Sequence, residues 1–188
     1  MRLVDAFENH GYVVLEGIFD PTLTSEMLRI CMVVLAQGKP IKALPHTELR
    51  REPYTRFSQA GIVAQVVETL AGNVCYPDRP GYIRVNPVDS EAGPIHRDSQ
   101  AGGLPIVEVA VFLTPFEQRN GATQIWPDSR KIGAGDPQEL ALMHKAEADM
   151  PPNVIHGPCG SLLFRDDRAW HRAGANLSTD PRVMLVVH

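Results

Sequence analysis

The sequence predicts an all-β core with flanking helices. Three observations predict it. Apolar residues at helical spacing are confined to the front of the chain. From Val74 onward short apolar runs alternate with Gly, Pro, Asn and Asp. The 16 prolines and 15 glycines, spread throughout, leave little room for long helices beyond the first forty residues. The expected organisation is one domain over residues 1–188, with a helical N-terminal portion (1–75) attached to a sheet-rich body (76–188).

The elements follow in order. Tyr12-Val13-Val14-Leu15 reads as a short strand after Gly11. Asp20 caps a helix that has Pro21 at its first position, and Leu23, Met27, Ile30 and Val34 give residues 22–36 one apolar stripe. Gly38 and Pro40 stop it. Residues 41–58 are polar and proline-punctuated and read as a loop. Residues 60–70 form a second amphipathic helix, ended by Gly72-Asn73. Strands are expected at 82–85, at 107–113, at 123–126 after an Asn120-Gly121 turn, at 161–164 after Gly160, and at 183–187. Residues 135–150 read as a loop with a helical turn. Many short strands with frequent turns point to a sandwich or barrel.

Composition narrows the partners. The chain has 188 residues, 44% hydrophobic and 21% charged, with a net charge of −4. That balance argues against nucleic acid or an anionic membrane as partner. No apolar run nears the roughly 18 residues of a membrane span. The start, MRLVDAFENHGY, lacks the apolar stretch of a secretory signal. Cys31, Cys75 and Cys159 are odd in number with no CxxC, which disfavours a disulfide framework or thiolate zinc and fits a reducing cytoplasm.

Seven histidines raise the question of a metal. With 22 acidic residues, about one His-x-Asp/Glu is expected by chance, and there are two. His46-Thr47-Glu48 lies in the polar loop. His96-Arg97-Asp98 lies where the sheet-rich body begins. In extended backbone, residues i and i+2 share a face, so His96 and Asp98 aim an imidazole and a carboxylate at one point, with Arg97 behind. A second His from a distant strand completes a 2-His-1-carboxylate set, which suits Fe(II) and leaves positions open for O₂ and a co-substrate. His144 sits in a polar helical stretch and His188 ends the chain. His171 follows a strand and a tight turn, and a hairpin over 174–181 would bring Arg182 beside it. A guanidinium there could grip a dicarboxylate whose other end chelates the metal. His156 is the alternative ligand.

These residues resemble the phytanoyl-CoA dioxygenase family of Fe(II)/2-oxoglutarate-dependent oxygenases. The resemblance rests on His96-Arg97-Asp98, on the Asn120-Gly121 segment running to Pro127-Asp128-Ser129-Arg130, on Gly160-Ser161-Leu162-Leu163-Phe164, on Trp170-His171-Arg172-Ala173-Gly174-Ala175-Asn176, and on Arg182 at the family's interval past the distal His. The opening from Phe7 to Asp20 is similar to the family's start. The resemblance implies a double-stranded β-helix, a cupin-like jelly-roll. It implies iron on His96, Asp98 and His171, and 2-oxoglutarate held by Arg182. Pro-Asp-Ser-Arg replaces the family's Pro-Gly-Ser-His, a change expected to touch only the loop. Asp98 favours hydroxylation or another oxidation over halogenation, because halogenating relatives carry a small residue there.

Arg84 and Asn86, on the strand before His96, are candidate contacts for 2-oxoglutarate or substrate, with an exposed strand face as the other reading. Trp126 and Trp170 read as core, and Arg165 to Arg168 as a solvated charged turn. The implied function is oxidation of a small organic molecule in a cytoplasmic and biosynthetic setting, with a homodimer left open. A metal cupin that does not use 2-oxoglutarate, and a non-catalytic binding jelly-roll, remain as alternatives.

Overall fold

The computed structural model describes residues 2–36, 52–58, 60–72, 81–98, 106–132 and 138–187. His46, Cys75 and His188, and the helix stop at Gly38 and Pro40, lie outside them.

Two antiparallel sheets face each other. The larger contains β1 (Tyr12–Leu15), β6 (Leu162–Asp166), β3 (Val107–Phe112), β8 (Arg182–Val187) and β2 (Tyr82–Asn86), in that spatial order. The smaller contains β5 (Asn153–Val154), β4 (Thr123–Ile125) and β7 (His171–Ala173). The closely spaced strands and turns point to a sandwich or barrel, and the arrangement found is the jelly-roll that the family resemblance implies.

The large sheet is buried on both faces, which is why β3 and β6 read as continuous apolar runs. Val107, Val109, Val111, Leu162, Phe164, Val183 and Leu185 point outward into a core shared with helices α1 (Leu3–His10), α2 (Pro21–Ala36), α3 (Tyr54–Ser58) and α4 (Gly61–Ala71). Asp20 caps α2 as expected, accepting the Thr22 and Leu23 amides at 2.6 and 3.3 Å. Ala110, Phe112, Leu163, Met184 and Val186 point inward and meet Ala122, Ile125 and Ile155 of the smaller sheet's side. Among the described residues no helix is long and apolar enough to cross a membrane.

Two expected loops contain helices. Within 41–58, Tyr54 and Phe57 are one turn apart and both buried, and that docked face forms α3. Residues 139–149 form α5 (Glu139–Asp149), eleven residues rather than one turn, because Met143 and Ala146 pack on Trp126 and Trp170. Both tryptophans are core, and their indole N–H groups donate to the Met150 carbonyl and the Glu139 carboxylate.

The β7–β8 hairpin expected from the sequence does not form. β7 belongs to the small sheet, where it pairs with β4, and β8 pairs with β2 and β3 in the large one. Residues 174–181 cross between the sheets. Fully buried Asn176 organises the crossing, donating to the Asn86 and Asp180 carbonyls at 3.0 Å and accepting from the Ser178 amide and hydroxyl.

Candidate active site

His96 and His171 are brought together by backbone. Residues 93–98 run antiparallel to β7. Gly93 N–H donates to the Ala173 carbonyl, His96 and His171 exchange amide hydrogen bonds at 3.0 and 2.9 Å, and Asp98 N–H donates to the Asp167 carbonyl. Residues paired in this way project to the same side, and the two imidazole centroids stand 4.3 Å apart. Asp98 completes the group. Its Oδ1 is 3.6 Å from His96 Nε2 and its Oδ2 is 3.4 Å from His171 Nε2. One ligand atom from each of the three lies within 4.8 Å of the others. Cis ligands on an octahedral ion stand roughly 3 Å apart, so small side-chain shifts suffice to hold one.

The donor chemistry fits a metal. Each imidazole has its Nδ1 against the carbonyl two residues earlier, His96 on Pro94 at 3.0 Å and His171 on Ala169 at 3.1 Å. An Nδ1–H donated there leaves the Nε2 lone pair for a ligand; His171 reaches that tautomer when its Nδ1 donates to Ala169 instead of accepting from Arg165 Nη1, 2.8 Å away. His171 Nε2 is buried without a hydrogen-bond partner, an orphan that a metal would satisfy. Burial, and then the nearby Arg165 charge, hold the His171 pKa well below the usual imidazole value, so the ring is neutral as ligation requires. Asp98 is held down to about 2. Burial opposes its charge, and the Arg165 guanidinium outweighs that opposition. His171 is enclosed while His96 and Asp98 keep 35% and 20% side-chain exposure, so the site opens on their side.

Arg97 points the other way, as its position between the pair requires. Its guanidinium is 5% exposed, ion-paired with Glu139, donating twice to the Ile132 carbonyl at 3.2 Å, and 5.9 Å over the Trp170 ring. This fastens the ligand-bearing segment to α5. Ser129 does the same for β7, accepting the Trp170 amide at 2.8 Å and donating to the Trp126 carbonyl. Asp128 has φ 65°, so the residue standing where the family pattern has Gly keeps a glycine-like backbone.

Arg182 opens β8 at the end of the large sheet remote from Arg165. It is 1% exposed, and its guanidinium lies 4.5 Å over Phe116 with a contact to the Met184 sulfur. Its Nε is buried without a partner, and no carboxylate neutralises it among the described residues. Burial, then repulsion from Arg84, lower its pKa to about 9. A buried cation without counter-charge is built to receive an anion. A cavity joins it to His171, lined also by Arg84, Glu108, Thr123 and Leu163. Its volume, about 10 Å³, holds about one water, so a dicarboxylate enters only if Arg182, Arg84 or Met184 swings aside.

The remaining candidates divide. Arg84 lines the cavity. Asn86 does not offer its amide there, because it donates to the Gly121 and Gly174 carbonyls and accepts from Ser90. His144 and His156 are exposed and belong to no metal-capable cluster among the described residues. The charged turn at 165–168 is the main reversal. Arg165, Asp166 and Asp167 are all at most 1% exposed, and Arg165 touches Asp98 and His171 directly. The signal was the apolar run 162–164: a strand apolar on both faces is buried on both, so Arg165, two residues past Leu163, shares its inward face.

The sequence pattern of the family described as phytanoyl-CoA dioxygenase matches residues 7–184. The chain belongs to the phytanoyl-CoA dioxygenase family. That family comprises Fe(II)/2-oxoglutarate-dependent oxygenases, so iron, 2-oxoglutarate and O₂ are its cofactors. Solved structures agree on the fold. The epimerase SnoN from nogalamycin biosynthesis, in complex with Fe3+, alpha ketoglutarate and nogalamycin RO, superposes with a TM-score of 0.76 at 21% identity, over 99% of this chain and 81% of SnoN. EctD from S. alaskensis, with 2-oxoglutarate and 5-hydroxyectoine, gives 0.74 at 18% identity, over 98% of this chain and 73% of EctD. EvdMO1 gives 0.80 at 13% identity over 98% of this chain, which spans only about half (48%) of EvdMO1.

Proposed function

We propose that the chain is an Fe(II)/2-oxoglutarate-dependent oxygenase that oxidises a small organic molecule, with hydroxylation as its reaction, acting as one domain in the cytoplasm. The carrying observation is the convergence of His96, Asp98 and His171 at the mouth of the jelly-roll, joined by a cavity to the unneutralised Arg182.

In this reading His96 Nε2, an Asp98 oxygen and His171 Nε2 hold the iron, and Arg182 grips the far carboxylate of 2-oxoglutarate bidentately. Arg84 adds a second positive charge to the same cavity. Bound there, ferrous iron supplies activation of O₂ coupled to decarboxylation of the co-substrate. The Pro94 and Ala169 carbonyls keep both imidazoles turned toward the metal. Leu163 and Met184 of the cavity wall, with Phe116 against the Arg182 guanidinium, keep water from the co-substrate end. Substrate approaches from the open His96 and Asp98 side. SnoN is named an epimerase and the EctD complex holds a hydroxylated product, so one scaffold serves more than one outcome. Asp98 supports hydroxylation here.

Anaerobic Fe(II) and 2-oxoglutarate should give the wild-type protein a weak visible charge-transfer band, absent in His171→Ala. Arg182→Ala should raise the apparent KM for 2-oxoglutarate about 100-fold in a succinate-release assay. A wild-type protein with no band overturns the reading. Turnover insensitive to Arg182→Ala replaces it with a metal cupin that does not use 2-oxoglutarate.

A further inference from the structure

We infer that Arg165 is a positioning residue for Asp98, one of the three candidate metal ligands, with Glu108 as its anchor and His171 as a further contact in the metal-free state only. The inference rests on the metal site proposed above.

The geometry is specific. Arg165 stands on β6 directly across from Glu108 on β3. The pair is joined twice, Nε to Glu108 Oε1 at 3.3 Å and Nη2 to Oε2 at 2.9 Å. Glu108 is itself met by the Tyr82 hydroxyl at 3.4 Å. Held in this way, Arg165 turns Nη2 to Asp98 Oδ2 and Nη1 to His171 Nδ1 at 2.8 Å. One fully buried fork therefore reaches both the carboxylate and the distal imidazole. Asp167 lies 4.0 Å from the same nitrogen.

Structural packing alone does not call for this. A buried Arg–Glu pair in a core is commonly replaced by apolar residues without loss. What an apolar pair could not do is fix Asp98, which among the described residues sits in a segment with no strand on its outer side. A guanidinium bound to one carboxylate oxygen leaves the other free to ligate and sets the direction of its lone pairs. The contact with His171 belongs to the metal-free tautomer. When Nε2 carries a metal, Nδ1–H turns to the Ala169 carbonyl, and Arg165 is left to Asp98 and Glu108. Arg165 thus has a partner in both states, and the large sheet carries the rigidity of the site.

The test titrates Co(II) into the metal-free protein, read by its visible spectrum, in wild type, Arg165→Met, Arg165→Lys and the double variant Arg165→Met with Glu108→Gln. Arg165→Met should bind Co(II) 10- to 100-fold more weakly. The double variant, which also neutralises the buried anchor, should recover thermal stability without recovering affinity. Arg165→Lys should restore only part of the affinity, since one ammonium cannot span Glu108 and Asp98 as a planar fork does. In steady state the loss should fall on kcat and metal affinity, with the KM for 2-oxoglutarate nearly unchanged. A folded double variant that binds Co(II) like wild type overturns the inference. Should no variant fold, NMR of the wild-type protein decides: Co(II) should shift the Arg165 Nε–H resonance strongly, and an unmoved resonance overturns the inference. A wild-type protein that binds no Co(II) fails earlier, at the metal site itself.

Discussion

Arg182, as the proposed anion receptor, would trade stability for binding. Its folded-state pKa, about 9, lies well below the ordinary guanidinium value that the unfolded chain keeps. The unfolded chain therefore holds the proton more tightly, and the charge costs stability throughout the neutral range. Replacing it by Met, which fits the same apolar wall, should raise the stability of the ligand-free protein by about 2 kcal/mol, or about 5 °C. The same variant should lose the thermal shift that 2-oxoglutarate gives with Mn(II). Differential scanning fluorimetry with and without 2-oxoglutarate reads both. A variant that is destabilised, or that still responds to 2-oxoglutarate, contradicts the assignment of Arg182 as the anion receptor. At this scale the sequence was informative where spacing carried geometry. His96 and Asp98 share a face because i and i+2 do in extended chain, and Arg97 is thrown behind them. Arg165 was not read because its neighbours Asp166, Asp167 and Arg168 make a charged run, which usually means solvent. The buried charges here are mutually neutralised, and that pairing is invisible without the fold.

The elements that declared themselves were those with their own local chemistry. Asp20-Pro21 marks the start of α2, Gly72 the end of α4, and the β-branched runs mark β3 and β8. Periodicity identifies a strand but not its sheet, so β7 and β8 read as a hairpin although Asn176 ties their connection across the barrel. Gly121 belongs to the same junction. It has φ 76°, and a Cβ there would meet the Gly174 carbonyl oxygen at 2.6 Å, where Asn86 binds. The turn from β6 to β7 is set by Asp166. Its carboxylate is fully buried and accepts the Arg168 amide and Nε at 2.9 Å and Nη2 at 2.7 Å, with Arg130 at 3.5 Å. Burial opposes the charge, but the Arg168 hydrogen bonds and the two cations prevail and lower the Asp166 pKa. A carboxyl lowered in the folded state stabilises above its unfolded value and loses that contribution as pH falls through its folded value. Asp166→Asn should cost about 2 kcal/mol at pH 7. The difference from wild type should shrink below about pH 4. Urea unfolding at pH 7 and pH 3 measures it, and a gap that is the same at both pH values refutes the ion-pair account. Because His171 follows this turn, the variant should also weaken metal binding.

Across the whole molecule the candidate site is the place where the two sheets meet. His171 and the 93–98 segment lie along the small sheet, while Arg165, Glu108, Arg84 and Arg182 stand on the large one. Between the sheets, among the described residues, lie a neutral orphan nitrogen and a cation with no carboxylate partner, one suited to a metal and the other to an anion. A chelate that binds the metal with one end and Arg182 with the other would connect the two sheets. Its binding energy would then be expressed as cohesion between them. Mn(II) alone at 100 times its Kd should stabilise by about 2.7 kcal/mol, roughly 5–10 °C for a chain of this size. 2-Oxoglutarate alone should do little, because half its partners are missing. Together they should exceed the sum of their separate shifts, since each ligand completes the other's site. EDTA should reverse the whole effect. In His171→Ala the metal shift and the excess should both vanish, whereas Glu117→Ala, at an exposed turn remote from the cluster, should leave both intact. Shifts that merely add, or that survive in His171→Ala, would mean that metal and dicarboxylate bind at unconnected places. The two sheets would then be a scaffold that the ligands do not bridge.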